Sequence, residues 1–298
     1  MEYYLRKAVL GPVPEIEISI EEFNDLNIAR RVLSNAFEIE QKYEVVISNF
    51  LELEKELLNI AAANTIRMLQ TYSEFFETIS VLNTRLVNLL TATRLYFDQL
   101  PNHLRNCDTN HNDFINNFKL KCSVEYDNHF EYRFMEALRN HVQHHGMPIH
   151  HIKQDSGWTS FDDQGLMEYS VHLFATLKDL EENEKFKKSV LQEISGDVNL
   201  IAATRQYLES ISSINESVRE LISDSLYRAR ASIELAHKRY AEIHSESLIG
   251  LSAIEKKDSK IISSVSLLLD WDDVRIKLQK RNPKLVNFSK RYVTTRIK

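Results

Sequence analysis

The chain has 298 residues and a formal net charge of −6, with only 6 glycines and 5 prolines to punctuate it. That length allows one large domain or two modest ones. Sparse Gly and Pro among abundant Leu, Ile, Glu and Lys argue for long helices, and no apolar run approaches the ~20 residues that cross a bilayer. Two cysteines, Cys107 and Cys122, are too few for a disulfide framework, and the opening stretch lacks the apolar core of a secretory signal. A cytoplasmic protein without membrane contact is therefore expected.

Ile16, Ile18 and Ile20 alternate with Glu15, Glu17 and Ser19, the period of a short strand. Ser19 and Glu22 have the spacing of a capping box, so the first helix starts close by. Ile39, Tyr43, Val46, Phe50, Leu53, Leu57 and Ile60 then recur at steps of three and four, a narrow seam for lengthwise packing on another long helix. A second long helix is predicted over 73–99, ending before Pro101, with Leu82, Leu86, Leu89 and Leu90 as its buried stripe. Asn83, Arg85, Asn88 and Arg94 interrupt it. Because an unpaired amide in such a stripe is costly, these residues are expected to join helices or line a cleft.

Residues 101–117, rich in Asn, Asp and His, read as a loop or broken helix. A helix over 124–145 follows, capped by Gly146 and stopped by Pro148. Segments 149–153 and 167–173 read as the strands of a β-hairpin, with 154–165 between them. From 177 to about 280 the pattern is helical again. Gly196 and Asp197 separate two helices, Asp197 serving as N-cap, and Leu208, Ile211, Ile214, Val218 and Leu221 line a helix reaching toward His244. A division into 1–176 and 177–298 is drawn on this change of pattern, although no flexible linker marks it. Over 271–298, nine Lys or Arg stand against two Asp. This +7 segment, on a remainder of −13, suits a solvated tail, self-association or contact with a polyanion.

Arg139-Asn140-His141-Val142-Gln143-His144 closes the predicted helix that precedes the hairpin. At about 100° per residue, Arg133, Glu136, Arg139, Asn140, Gln143 and His144 share one arc. Phe130, Phe134, Leu138, His141, Val142 and His145 share the opposite one. Phe134, Leu138 and Val142 anchor the helix, so the polar arc faces solvent, a partner or a ligand. Arg139 suits bidentate binding of a phosphate, and an imidazole such as His144 suits proton transfer near neutral pH. Asn140 can bind the same group or orient the imidazole.

These residues resemble the motif of the HEPN superfamily, helical domains of many bacterial toxins and defence proteins. Its signature is Arg, four to six intervening residues and His, often with a polar residue directly after Arg. Arg139, Asn140 and His144 match with four intervening residues, and His145 matches with five. The resemblance covers about 37–145.

It implies a mainly α fold, a bundle of long antiparallel helices to which the hairpin and the C-terminal helices are additions. It also implies a homodimer whose motifs face one another across a cleft. Active members are metal-independent endoribonucleases in which the RNA 2′-hydroxyl attacks the adjacent phosphodiester, here in toxin or phage-defence growth arrest. On that basis Arg139, Asn140 and His144 are catalytic, while Arg133, Gln143, Asn88, Arg85 and His145 contact RNA. No cofactor or metal is called for, and a neutralising antitoxin-like partner fits. Other members have lost activity, so the alternative is a non-catalytic adaptor assembling through its long helices and basic tail. The plainest alternative pairs Arg139 with Glu136 and leaves His144 as a helix cap.

Two metal-like groupings fall short. His103, Cys107, His111 and Cys122 lack the spacing of a zinc finger. His141 and His145 lie at i, i+4 on the apolar arc without the glutamate of a zincin helix, and read as partly buried histidines. Trp158 and the basic segment can add stacking and phosphate neutralisation to RNA binding.

Overall fold

A computed structural model describes residues 1–9, 13–67, 71–107, 111–162, 165–244 and 247–293, with the side chains of 111 and 112 left out. His111, of the grouping that falls short of a zinc finger, therefore has no described side chain, and Arg296 and Lys298 of the basic segment lie outside the described residues. The described chain is mainly helical with two small antiparallel sheets. In order it forms β1 (Glu2–Lys7), β2 (Glu15–Ile18), α1 (Ile20–Asn64), α2 (Tyr72–Arg105), α3 (His111–Asn128), α4 (Phe130–His144), β3 (His151–Trp158) and β4 (Met167–Ala175). Then follow α5 (Leu177–Glu181), α6 (Lys188–Leu191), β5 (Val198–Asn199), α7 (Leu200–His244), β6 (Leu251–Lys257), β7 (Lys260–Ser266) and α8 (Asp270–Arg281). Among the described residues no helix is long and apolar enough to cross a membrane.

The chain packs as two compact units that do not follow chain order. One comprises Met1–Lys42, Phe97–Phe118 and Ser217–Pro283, the other Tyr43–Tyr96, Lys119–Glu216 and Lys284–Lys298. In the first, strands β2-β1-β6-β7 form a sheet in which Ile16, Leu5, Ala253 and Val265 lie in one cross-strand row. All four are buried, which gives this sheet its apolar face. The expected capping box is present: Ser19 N donates to Glu22 Oε2 at 2.9 Å and Glu22 N to Ser19 Oγ at 3.1 Å. Ile20 is the first residue of α1 and not the last of a strand, because this cap commits it to the helix.

Also in this unit, Arg219 on α7 holds the buried Glu40 of α1 by two 2.8 Å hydrogen bonds and donates to the Asn282 carbonyl at 2.9 Å. Strands β1, β6 and β7 have no counterpart among the predicted elements, the stretch after 244 being expected as helix. The β6–β7 turn explains part of the difference, since Asp258 and Ser259 take left-handed φ of 49° and 63° without the Asn-Gly that signals a primed turn. Pro101, expected to end α2, lies inside it. Leu100 and Leu104 on either side are fully buried, and that burial offsets the ~3 kcal/mol a helical proline costs.

In the second unit, Tyr43, Val46, Phe50, Leu53 and Leu57 of α1 are buried, as are Leu82, Leu86, Leu89 and Leu90 of α2. The expected stripe is thus core, and so is the seam up to Leu57, while its last member, Ile60, is half-buried. Arg205 on α7 clasps Glu54 of α1 through two 2.7 Å hydrogen bonds and donates to the Arg291 carbonyl at 2.6 Å. Part of the basic segment is therefore strapped along α7 and not free. Glu209 accepts from Asn287 N and Phe288 N, and Ser212 Oγ accepts from Leu285 N. The β3–β4 hairpin forms as expected, in continuous register from His151↔Phe174 to Trp158↔Met167, with β3 running further than 153. Asn199, not Asp197, caps α7, its Oδ1 accepting from Ile201 N and Ala202 N.

Candidate functional site

Helix α4 begins later than the sequence suggests. His129 adopts an extended conformation (φ −124°, ψ 112°) and separates α3 from α4, so the expected single helix over 124–145 is two. Neither Pro nor Gly marks the break. Phe134, Met135 and Leu138 bury the inner face of α4. The helix ends at His144, and Gly146 does not use the left-handed φ expected of a glycine cap. A Cβ at Gly146 would instead meet His141 Nε2 at 3.3 Å. Beyond the motif, Ile149 N donates to Asn83 Oδ1 of α2 at 3.0 Å, which satisfies the buried Asn83 and fixes the exit of the chain.

Arg139, Asn140 and His144 line one open cleft of about 450 Å³, together with Arg133, Glu136 and His141. Arg139 is only 8% exposed. Its contacts are long: Nη1 lies 3.5 Å from Gln143 Oε1, Nη2 lies 3.7 Å from Glu136 Oε2, and the buried Nε has no acceptor. Asn140 and His144 are exposed, and neither side chain bonds another described residue. The motif thus presents a guanidinium with donor capacity to spare, an amide and an imidazole to one space. Glu136 is itself held from behind, since Tyr207 on α7 donates to its Oε1 at 2.5 Å. Burial first, then the Glu136 charge, pushes the Tyr207 phenol well above its usual range, so it stays a donor.

The remaining predicted site residues are distributed unevenly. Arg133 lines the cleft but is committed elsewhere: it grips Glu193 at 3.1 and 2.5 Å and donates to the Tyr126 and Asp127 carbonyls at 2.6 and 2.9 Å. It thereby fastens the end of α3, a structural task. Gln143 touches Arg139. His145 is exposed, its ring 5.0 Å from that of His141, and does not line the cleft. Asn88 is exposed, so its amide escapes the expected penalty, and the buried amide of α2 is Asn83. Arg85 faces Glu56 of α1 at 3.9 Å, not the motif helix.

His141 is buried and neutral. Burial foremost, then the nearby His150 and His145, pulls its pKa down to about 4. Asn183 Nδ2 donates to its Nδ1 at 3.1 Å, while Asn183 Oδ1 accepts from Lys185 N, so the amide can offer this ring only an N–H. In the adjoining hollow, burial first and then Glu136 and Glu125 push the Cys122 thiol up to about 12, which rules it out as a thiolate nucleophile. His103 pairs with Asn35 at 3.0 Å and Cys107 is buried against the Val32 carbonyl. Among the described residues no three His, Cys, Asp or Glu converge as metal ligands.

The opposite wall of the cleft was missed in sequence. It is the α5–α6 connection, where Asn183, Lys185, Phe186 and Lys187 line the same space. The available signal was one aromatic between two lysines, a pattern that carries meaning only once Phe186 is seen to be buried. No family model matches the chain, and no curated protein or solved structure does either.

Proposed function

We propose that this protein is a metal-independent endoribonuclease of the HEPN type, dimeric as the resemblance implies and acting in growth arrest or phage defence. The observation that carries this is the convergence of Arg139, Asn140 and His144 on one open cleft. Arg139 holds the phosphodiester and stabilises charge developing on phosphorus. The ribose 2′-hydroxyl attacks that phosphorus, forming a 2′,3′-cyclic phosphate and expelling the 5′-oxygen. His144 carries the proton between the 2′-oxygen that loses one and the 5′-oxygen that gains one, and Asn140 positions the phosphate or the ring. Glu136, bonded to Tyr207, restrains Arg139 on its inner side.

Purified protein mixed with total RNA in excess EDTA is expected to yield discrete fragments. Arg139→Ala and His144→Ala should each slow their appearance about a hundredfold or more. Equal RNA decay in all three proteins would reject the catalytic assignment.

A second reading, a non-catalytic interaction protein, draws on the far end of the β3–β4 hairpin. There Trp158, Phe161, Leu166 and Met167 are exposed, Phe161 almost completely. It predicts a stable complex with a partner protein and no fragments in the same assay.

A further inference from the structure

The α5–α6 connection is fixed in place and turned toward the motif. Phe186 is buried with its ring 6.5 Å from Phe134 and 6.1 Å from His141. Asn183 is buried as well, bonded on one side to His141 and on the other to the backbone of Lys185. With Phe186 pinned inward, the residues before and after it line the cleft. Lys187 lies over the Tyr126 ring, 4.5 Å from its centroid, and bonds its hydroxyl. Lys185 has no carboxylate partner among the described residues, and Lys187 feels only the charge of Glu193, which Arg133 already grips. Across from them stand Arg139, nine-tenths buried with an unsatisfied Nε, and Arg133, already neutralised by Glu193. In a chain of net charge −6, the cleft keeps three cations against the single Glu136 carboxylate.

On the proposed ribonuclease reading, we infer that Lys185 and Lys187 form a backbone-phosphate subsite for single-stranded RNA. They bind the phosphate flanking the one held by Arg139. Single-stranded RNA fits because its charge lies on flexible phosphates that two ammonium groups can neutralise without reading bases. Phe186 and Asn183 fix the backbone that carries the lysines, so only their side chains are left to order on binding.

The probe is a short single-stranded 2′-O-methyl RNA, which cannot be cleaved by 2′-hydroxyl attack, with its Kd measured by anisotropy over a range of salt concentrations. Wild type is expected to bind with a salt slope that falls in magnitude by about 1.4 in the Lys185→Gln, Lys187→Gln double variant, ~0.7 for each lysine charge removed from the phosphates. Both side chains are exposed, so the variant should fold, which circular dichroism verifies. An unchanged Kd and slope in the double variant, with binding still weakened by Arg139→Ala, would overturn the subsite and leave the motif assignment standing. No binding by wild type would also overturn it. Equal RNA cleavage by wild type, Arg139→Ala and His144→Ala would instead remove the ribonuclease reading itself.

Discussion

His141 lies two positions beyond Arg139 on the same helix, but it is buried and kept neutral. Its ring holds a proton less tightly in the folded chain (about 4) than an ordinary imidazole near 6.5. Between those values the unfolded chain binds a proton that the folded one does not, so stability rises with pH through that window. The contribution of neutral His141 is complete above 6.5 and is lost as pH falls toward 4. His141→Gln keeps an acceptor for Asn183 but cannot charge, so its thermal midpoint should fall less steeply than wild type from pH 6.5 to 4. Parallel slopes in the two proteins would show that His141 does not titrate in this window. His145, His150 and Asp179 are the charged or titratable groups that act on this ring. Arg139 differs in kind, since its charge is permanent and what matters is how many of its donors are spoken for.

At the level of elements, the β6–β7 turn offers a direct check on backbone strain. Asp258 and Ser259 both occupy the left-handed region, which costs a residue with a Cβ roughly 1–2 kcal/mol. Replacing the pair by Asn-Gly should raise stability by about 0.5–1 kcal/mol, read as a higher denaturant midpoint with an unchanged slope. Lower stability would mean that the Asp258 and Ser259 side chains contribute more than the strain costs. This turn also shows what sequence could and could not disclose. The seam from Ile39 to Leu57, the Ser19–Glu22 cap and the β3–β4 hairpin were readable because each is a local pattern repeated over several residues. The break at His129 and the continuation through Pro101 were not: no Pro, Gly or side-chain cap marks the first, and burial of Leu100 and Leu104 overrides local propensity at the second. For the site, Arg139, Asn140 and His144 were legible as a helical spacing. Lys185, Lys187 and Tyr207 come from distant chain and have no spacing to betray them.

In each compact unit, an arginine of α7 clasps a glutamate of α1: Arg219 with Glu40 in one, Arg205 with Glu54 in the other. Glu40 is almost completely buried, so Arg219→Met would strand its charge and is expected to cost about 3–5 kcal/mol by denaturant unfolding. Adding Glu40→Leu should recover most of that loss. A double variant no more stable than Arg219→Met alone would show that packing, not the unpaired carboxylate, causes the damage. The candidate site likewise draws on chain positions far apart. Severing the polypeptide after Thr176 would keep every motif residue, yet it would strip Glu136 of its tyrosine, Phe134 and His141 of their aromatic neighbour, and Arg133 of its carboxylate. A fragment of that kind could retain its helices and still lose the groove, so a silent fragment would say nothing about the intact chain.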